Sequence, residues 1–202
     1  MKRIGVLIFP DFELLDVFGP LEMFGLLSDE FTIRMVAEQS RTIASAQGPQ
    51  ALADDLFADD QRYDILLVPG GRGTRREVGN GKLLSWIRNR SAAADYVTSV
   101  CTGSALLAKA SLLDGKKATT NKSAFRWVQQ QGPSVLWQPR ARWVEDGKFV
   151  TASGVSAGID MSLGLIARLC GEAQARQVAT WAEYEWHSDP DWDPFADVHG
   201  LA

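Results

Sequence analysis

The segment Ser99-Val100-Cys101-Thr102-Gly103-Ser104-Ala105 sets a single thiol between a β-forming run and a helix-forming run, with small residues on both sides. Small neighbours permit a sharp strand-to-helix turn, so the arrangement is that of a nucleophile elbow with sulfur in place of oxygen. A helix N-terminus carries unpaired N–H groups and the positive end of the dipole, which favour thiolate, the reactive form. The competing reading is a small buried core cysteine. Cys170 closes an apolar stretch before Gly171 with nothing nearby to ionise it, and reads as core filler.

A thiolate needs a group that handles protons. The two histidines, His187 and His199, both sit in the C-terminal tail, whereas a catalytic base should be held on a rigid element. The remaining candidates are the carboxylates Asp11, Glu13, Asp16 and Glu22. Asp16 stands in Leu14-Leu15-Asp16-Val17-Phe18-Gly19-Pro20, where desolvation would raise its pKa and make it a proton donor beside sulfur. It would serve equally as a helix-capping residue ahead of Pro20. Pro69-Gly70-Gly71-Arg72-Gly73 lacks the glycine spacing of a dinucleotide fingerprint and the Gly-Lys-Ser/Thr of a P-loop. Its use would be to bring a backbone close to the reacting atom, the Gly71 and Thr102 amides forming an oxyanion hole; the alternative is an ordinary strand-to-helix turn.

These residues must be positioned by a scaffold, and short apolar runs alternating with amphipathic stretches predict parallel strands buried under helices on both faces. The strands are expected at Arg3–Phe9, Phe31–Ala37, Asp64–Val68 and Tyr96–Val100, together forming the central sheet. Helices are expected over Leu21–Leu27, Gly81–Ala93, Gly103–Ala110, Ser123–Gln131, Gly158–Cys170 and Glu172–Trp186. Ala141–Val144 and Lys148–Ala152 read as a hairpin around Asp146-Gly147. Ligands of an open α/β sheet bind beyond the strands' carboxyl ends, so Pro10-Asp11, the loop after Ala37, Pro69-Gly70-Gly71 and Cys101-Thr102-Gly103 are the segments expected to carry the site. A single domain over residues 1–202 is expected, with 187–202 a tail whose prolines forbid a regular helix and whose aromatics pack on the body or on a partner subunit.

Composition excludes several classes. At 202 residues and 46% hydrophobic content a stable core is attainable without metal or disulfide staples. A net charge of −4, from 21 basic against 25 acidic residues, argues against nucleic acid as a partner. Two cysteines in unlike contexts suit a reducing compartment, with the cytoplasm as the default. The apolar stretch Ile159–Cys170 is broken by Asp160 and Arg168 and falls short of the ~20 residues that cross a bilayer, so no membrane association is expected.

At these residues the sequence resembles the ThiJ/PfpI family, the DJ-one superfamily. The likeness is carried by Ile4-Gly5-Val6-Leu7-Ile8-Phe9, Leu15-Asp16-Val17-Phe18-Gly19-Pro20-Leu21-Glu22, Leu67-Val68-Pro69-Gly70-Gly71, Ser99-Val100-Cys101-Thr102-Gly103, Gly115-Lys116-Lys117-Ala118-Thr119-Thr120 and Ala152-Ser153-Gly154-Val155-Ser156-Ala157-Gly158-Ile159-Asp160. It implies a flavodoxin-like three-layer sandwich related to class I glutamine amidotransferases, usually dimeric, with Cys101 as nucleophile and Asp16 as the acid hydrogen-bonded to it. The family's peptidases follow the nucleophile with His, where this chain has Thr102; many members place His after Ala-Thr-Thr, where it has Asn121. Cys101-Thr102-Gly103 with Asp16 looks like the isonitrile hydratase branch, a cofactor-free lyase chemistry on a small electrophile. Cys-Thr-Gly also occurs in AraC-type regulators, whose added helix-turn-helix is not expected in 202 residues. The resemblance leaves two other expectations: a glyoxalase or deglycase acting on α-oxoaldehydes, and a redox sensor or stress protein in which Cys101 is oxidised.

Overall fold

The computed structural model describes residues 1–201. In chain order the elements are β1 (Lys2–Leu7), α1 (Leu14–Gly25), β2 (Phe31–Ala37), β3 (Thr42–Ala44), β4 (Gln50–Leu52), β5 (Asp55–Leu56), β6 (Ile65–Val68), α2 (Thr74–Glu77), α3 (Gly81–Ala93), β7 (Tyr96–Ser99), α4 (Gly103–Lys109), β8 (Lys117–Ala118), α5 (Phe125–Gln131), β9 (Leu136–Trp137), β10 (Trp143–Asp146), β11 (Phe149–Ala152), α6 (Ala157–Cys170), α7 (Glu172–Trp181) and α8 (Phe195–Val198). The four expected strands, β1, β2, β6 and β7, occupy the middle of a seven-stranded sheet ordered β10-β11-β7-β6-β1-β2-β5. Every neighbour pair is parallel except the β10–β11 hairpin, which turns at Gly147 with φ +63°. Helices α1, α6 and α7 form one covering layer and α2 to α5 the other, giving the expected three-layer α/β sandwich.

β6 and most of β1 are continuous apolar runs because both faces are covered there. Ile4, Val6 and Leu7 of β1, and Ile65 to Val68 of β6, are all buried. Pairing of Ile4 with Ile65 and of Val68 with Ser99 aligns the carboxyl ends of β1, β6 and β7 on one edge. β11 joins that edge, since it lies parallel to β7 with Thr151 opposite Ser99. The hairpin agrees with expectation, but its place in the main sheet differs from it, so Ser153-Gly154-Val155 joins the site, whereas the loop after Ala37 borders a separate cavity with Pro10 and Asn80.

Three element boundaries differ from expectation. α1 begins at Leu14, seven residues before the expected Leu21, and carries Pro20 inside it. Pro20 removes one helical N–H, yet the helix continues because Val17, Met23 and Phe24 bury against the core and the chain packs closely on α6, where Gly19 meets Ile159. Its entry is held by Glu13 N–H donating to Gly70 O at 2.9 Å and Leu14 N–H donating to Gln47 Oε1 at 3.1 Å. α7 stops at Trp181 rather than Trp186, with Glu183 turning out at φ +49°. The tail does hold one helical turn, α8, because Pro194 sits just ahead of it, at an end where a missing N–H costs nothing.

Candidate active site

The turn after β7 has the sharpness the flanking small residues suggested. Cys101 adopts φ +57°, a left-handed conformation that a non-glycine residue holds only when its surroundings fix it. Its N–H donates to Ser153 O at 2.8 Å and Ala152 O at 3.2 Å, while its carbonyl accepts from Thr120 Oγ1 at 2.9 Å and Ser104 Oγ at 3.2 Å. Close approach enforces the glycines here. A Cβ on Gly103 would lie 2.1 Å from Val68 O, and one on Gly70 would lie 2.5 Å from Thr102 N and 2.9 Å from Asp16 Oδ2. The β6 loop, the elbow and α1 are therefore in backbone contact.

Asp16, the third residue of α1, is wholly buried and caps nothing within its own helix. Its Oδ2 accepts the Gly70 N–H at 2.8 Å, and its Oδ1 is buried without an aligned partner. The carboxyl faces the Cys101 thiol within interaction range but without the alignment of a formed hydrogen bond. Desolvation pushes its pKa well above the usual carboxylate range, against the lowering effect of Gly70 N–H. Of the two readings of Asp16, the desolvated acid is the one the geometry supports.

The thiol corrects one expectation. Burial pushes the Cys101 pKa up, the Asp16 charge adds to the shift, and the Thr102 N–H, Val155 N–H and Asn121 side chain only partly oppose it. The amides of the helix end are present as foreseen, but a sulfur 6% exposed loses more from desolvation than they return. The balance disfavours a free thiolate at Cys101. Val155, one of the sulfur's donors, is itself strained at φ +45°, unusual for a β-branched residue. Asn121 and Val155, whose donors face the sulfur, also line a cavity of about 220 Å³ together with Ser153, Ser156, Phe195 and His199, among others; Cys101 lies behind them.

A model of the DJ-1/PfpI family matches residues 2–168, most of the chain. The chain belongs to the DJ-1/PfpI family. It is 36% identical over 182 residues to an isonitrile hydratase from Pseudomonas putida, covering 90% of this chain and 78% of that protein. It is 28% identical over 189 residues to the HTH-type transcriptional regulator GbdR of Pseudomonas aeruginosa, but spans only 51% of that longer protein. Among solved structures, a ThiJ/PfpI family protein from Pseudomonas syringae superposes with a TM-score of 0.85 at 30% identity, over 98% of this chain and 83% of that one.

Within this family member the sequence candidates divide. Cys101, Asp16 and Thr102 come together at one point. Gly71 is adjacent, at φ +117°, but its N–H donates to Thr102 Oγ1 at 3.1 Å and is not free to serve as an oxyanion donor. The same hydroxyl accepts from Thr74 Oγ1 at 3.1 Å, so Gly71 and Thr74 hold Thr102 in place. The second amide facing sulfur is Val155 instead, which the sequence did not single out because β11 was not placed beside β7. The Asn121 side chain also reaches the sulfur. His199 lines the cavity, while His187 borders a separate one beside Arg142 and Trp192. Cys170 is partly buried against the core, far along α6. Among the described residues no group of three His, Cys, Asp or Glu side chains is placed to hold a metal ion, and no helix is long and apolar enough to cross a membrane.

Proposed function

We propose that this protein adds water to a small isonitrile, releasing an N-substituted formamide, with Cys101 as nucleophile and Asp16 as proton donor. The observation that carries the reading is the buried pair itself: a thiol and a carboxyl facing each other, each with its pKa raised chiefly by desolvation. The terminal carbon of an isonitrile carries a lone pair and becomes electrophilic once protonated, so a retained proton beside sulfur suits it better than a free thiolate would. Asp16 gives its proton to that carbon, the sulfur bonds to it, and the thiol proton returns to Asp16, leaving a thioimidate. Water then adds to the same carbon, one of its protons passing by way of Asp16 to the nitrogen; the carbon–sulfur bond breaks as the new oxygen becomes the carbonyl, and the second proton returns to the Cys101 sulfur as formamide leaves. The Thr102 and Val155 amides stabilise negative charge that develops on sulfur. Atoms balance as isonitrile plus water to formamide, and neither metal nor organic cofactor enters a step.

The similarity to an isonitrile hydratase supports this reading. A redox-sensor role is less favoured, because oxidation selects exposed thiols of low pKa and Cys101 is neither. Two unpaired thiols suit the cytoplasm, where we place the protein, and we propose a homodimer. The decisive experiment follows formamide by proton NMR after mixing purified protein with methyl isocyanide. Catalytic release supports the hydratase. No release, with methylglyoxal consumed instead, would replace it by the oxoaldehyde enzyme.

A further inference from the structure

Two cavities meet at one aromatic ring. The first, about 220 Å³, holds Asn121 and Val155, the residues whose donors face the Cys101 sulfur. The second, about 600 Å³, is lined by Arg142, His187, Trp192 and Pro194. Phe195 and Ser156 border both. A drug-sized ligand needs roughly 300–1,000 Å³. The reacting cavity alone is below that range, and joined to its neighbour it would fall within it.

The ring is held in place by the tail's attachment to the body. Pro190 O accepts the Arg142 N–H at 2.7 Å, and the Asp193 N–H donates to Arg140 O at 2.9 Å. Asp193 is buried, and its Oδ1 accepts the Phe195 N–H at 3.0 Å. Upstream, the His187 N–H donates to Asp160 Oδ1 at 3.0 Å, and the same buried carboxylate is paired with Arg142. Three ties to the body, at His187, Pro190 and Asp193, fix the backbone that carries the ring, which itself stays 53% exposed on its outer side.

We propose that Phe195 is the size-determining residue of the Cys101 site, the partition that confines substrates to a compact substituent by separating the reacting cavity from the larger one beside it. Ser153 adds a polar requirement at the inner end. Its Oγ is buried in the wall of the small cavity and has no partner, so it is available to a heteroatom of the occupant. The expected occupant therefore has a polar reacting end toward Ser153 and Asn121 and a short apolar group toward Phe195. This inference rests on Cys101 as the reactive group of the proposed function.

The test measures alkylation rates of Cys101 by iodoacetamide and by N-benzyl-iodoacetamide, followed by intact mass in a Cys170→Ala background. Both reagents carry the same reactive carbon, so their ratio cancels the thiolate fraction and reads access alone. Removing the ring in Phe195→Ala should raise the benzyl-to-parent ratio by about tenfold or more, the scale on which a pocket discriminates apolar bulk. Trp192→Ala, which changes only the outer cavity, should leave the ratio unaltered. An unchanged ratio in Phe195→Ala would overturn the filter while leaving Cys101 as nucleophile. An equal rise in both variants would assign the effect to general loosening of the tail, again against Phe195. If Cys101 stays unlabelled in every variant even at raised pH and long exposure, while the urea-unfolded protein is labelled, the cavity is not the route to sulfur and the filter is overturned with it.

Discussion

Replacing Asp16 with asparagine should make the protein more stable and inactive. In the native site Oδ2 accepts the Gly70 N–H at 2.8 Å, Oδ1 is buried with no aligned partner, and desolvation raises the carboxyl pKa well above its ordinary range. A carboxyl whose folded pKa exceeds its unfolded one binds more protons in the folded state. The associated stability is complete below about pH 4 and is lost as pH rises toward the folded pKa. For one group the slope is at most about 1.4 kcal/mol per pH unit in that window. Asparagine has no charge to desolvate, keeps a carbonyl for Gly70, and sets an N–H donor where Oδ1 had no partner, a change worth about 1 kcal/mol or more. Urea midpoints measured from pH 4 to 8 should therefore diverge, with Asp16→Asn gaining on the native protein as pH rises. The variant cannot give up a proton, so formamide production should fall by about 10²-fold or more. A midpoint difference independent of pH would refute the desolvated acid, and undiminished hydration would remove Asp16 from the reaction.

Cys101→Ala should abolish turnover with the fold intact by circular dichroism, whereas Cys170→Ala should shift the urea midpoint by no more than about 1 kcal/mol and leave the rate unchanged. Equal activity loss in the two would remove the single-nucleophile assignment. Arg142→Ala leaves the fully buried Asp160 carboxylate without its cation and should cost about 3 kcal/mol or more in urea unfolding, with the tail released toward protease. A loss under about 1 kcal/mol would show that the Tyr184 hydroxyl and His187 N–H suffice for Asp160. Sedimentation should give about twice 22.2 kDa, because Leu15 and Phe18 on α1 and Trp192 on the tail leave apolar area uncovered; a monomer at all concentrations would oppose dimerisation.

Local pattern carried the scaffold and the thiol. Four Val/Ile/Leu-rich runs read as strands, and they are the middle of the sheet, fully covered in β6 and over most of β1 while β2 keeps Thr32 and Arg34 exposed. Cys101 between a strand and small residues could only turn sharply, and it does, at φ +57°. An acid inside Leu14–Phe18 was legible as unusual, but its two roles differ in what lies across the molecule from it, and that was settled by the Gly70 N–H arriving from β6. The same limit explains the misplaced elements. Pro20 marks a boundary by local preference, yet packing against α6 carries the helix through it. β11 read correctly as half of a hairpin, while its pairing with β7, separated by some fifty residues of chain, brought Ser153 to the Cys101 backbone and Val155 to the sulfur. The protonation of Cys101 went against the local argument for the same reason. A helix N-terminus is visible in sequence, whereas burial is a property of everything folded around it, and burial sets the larger energy.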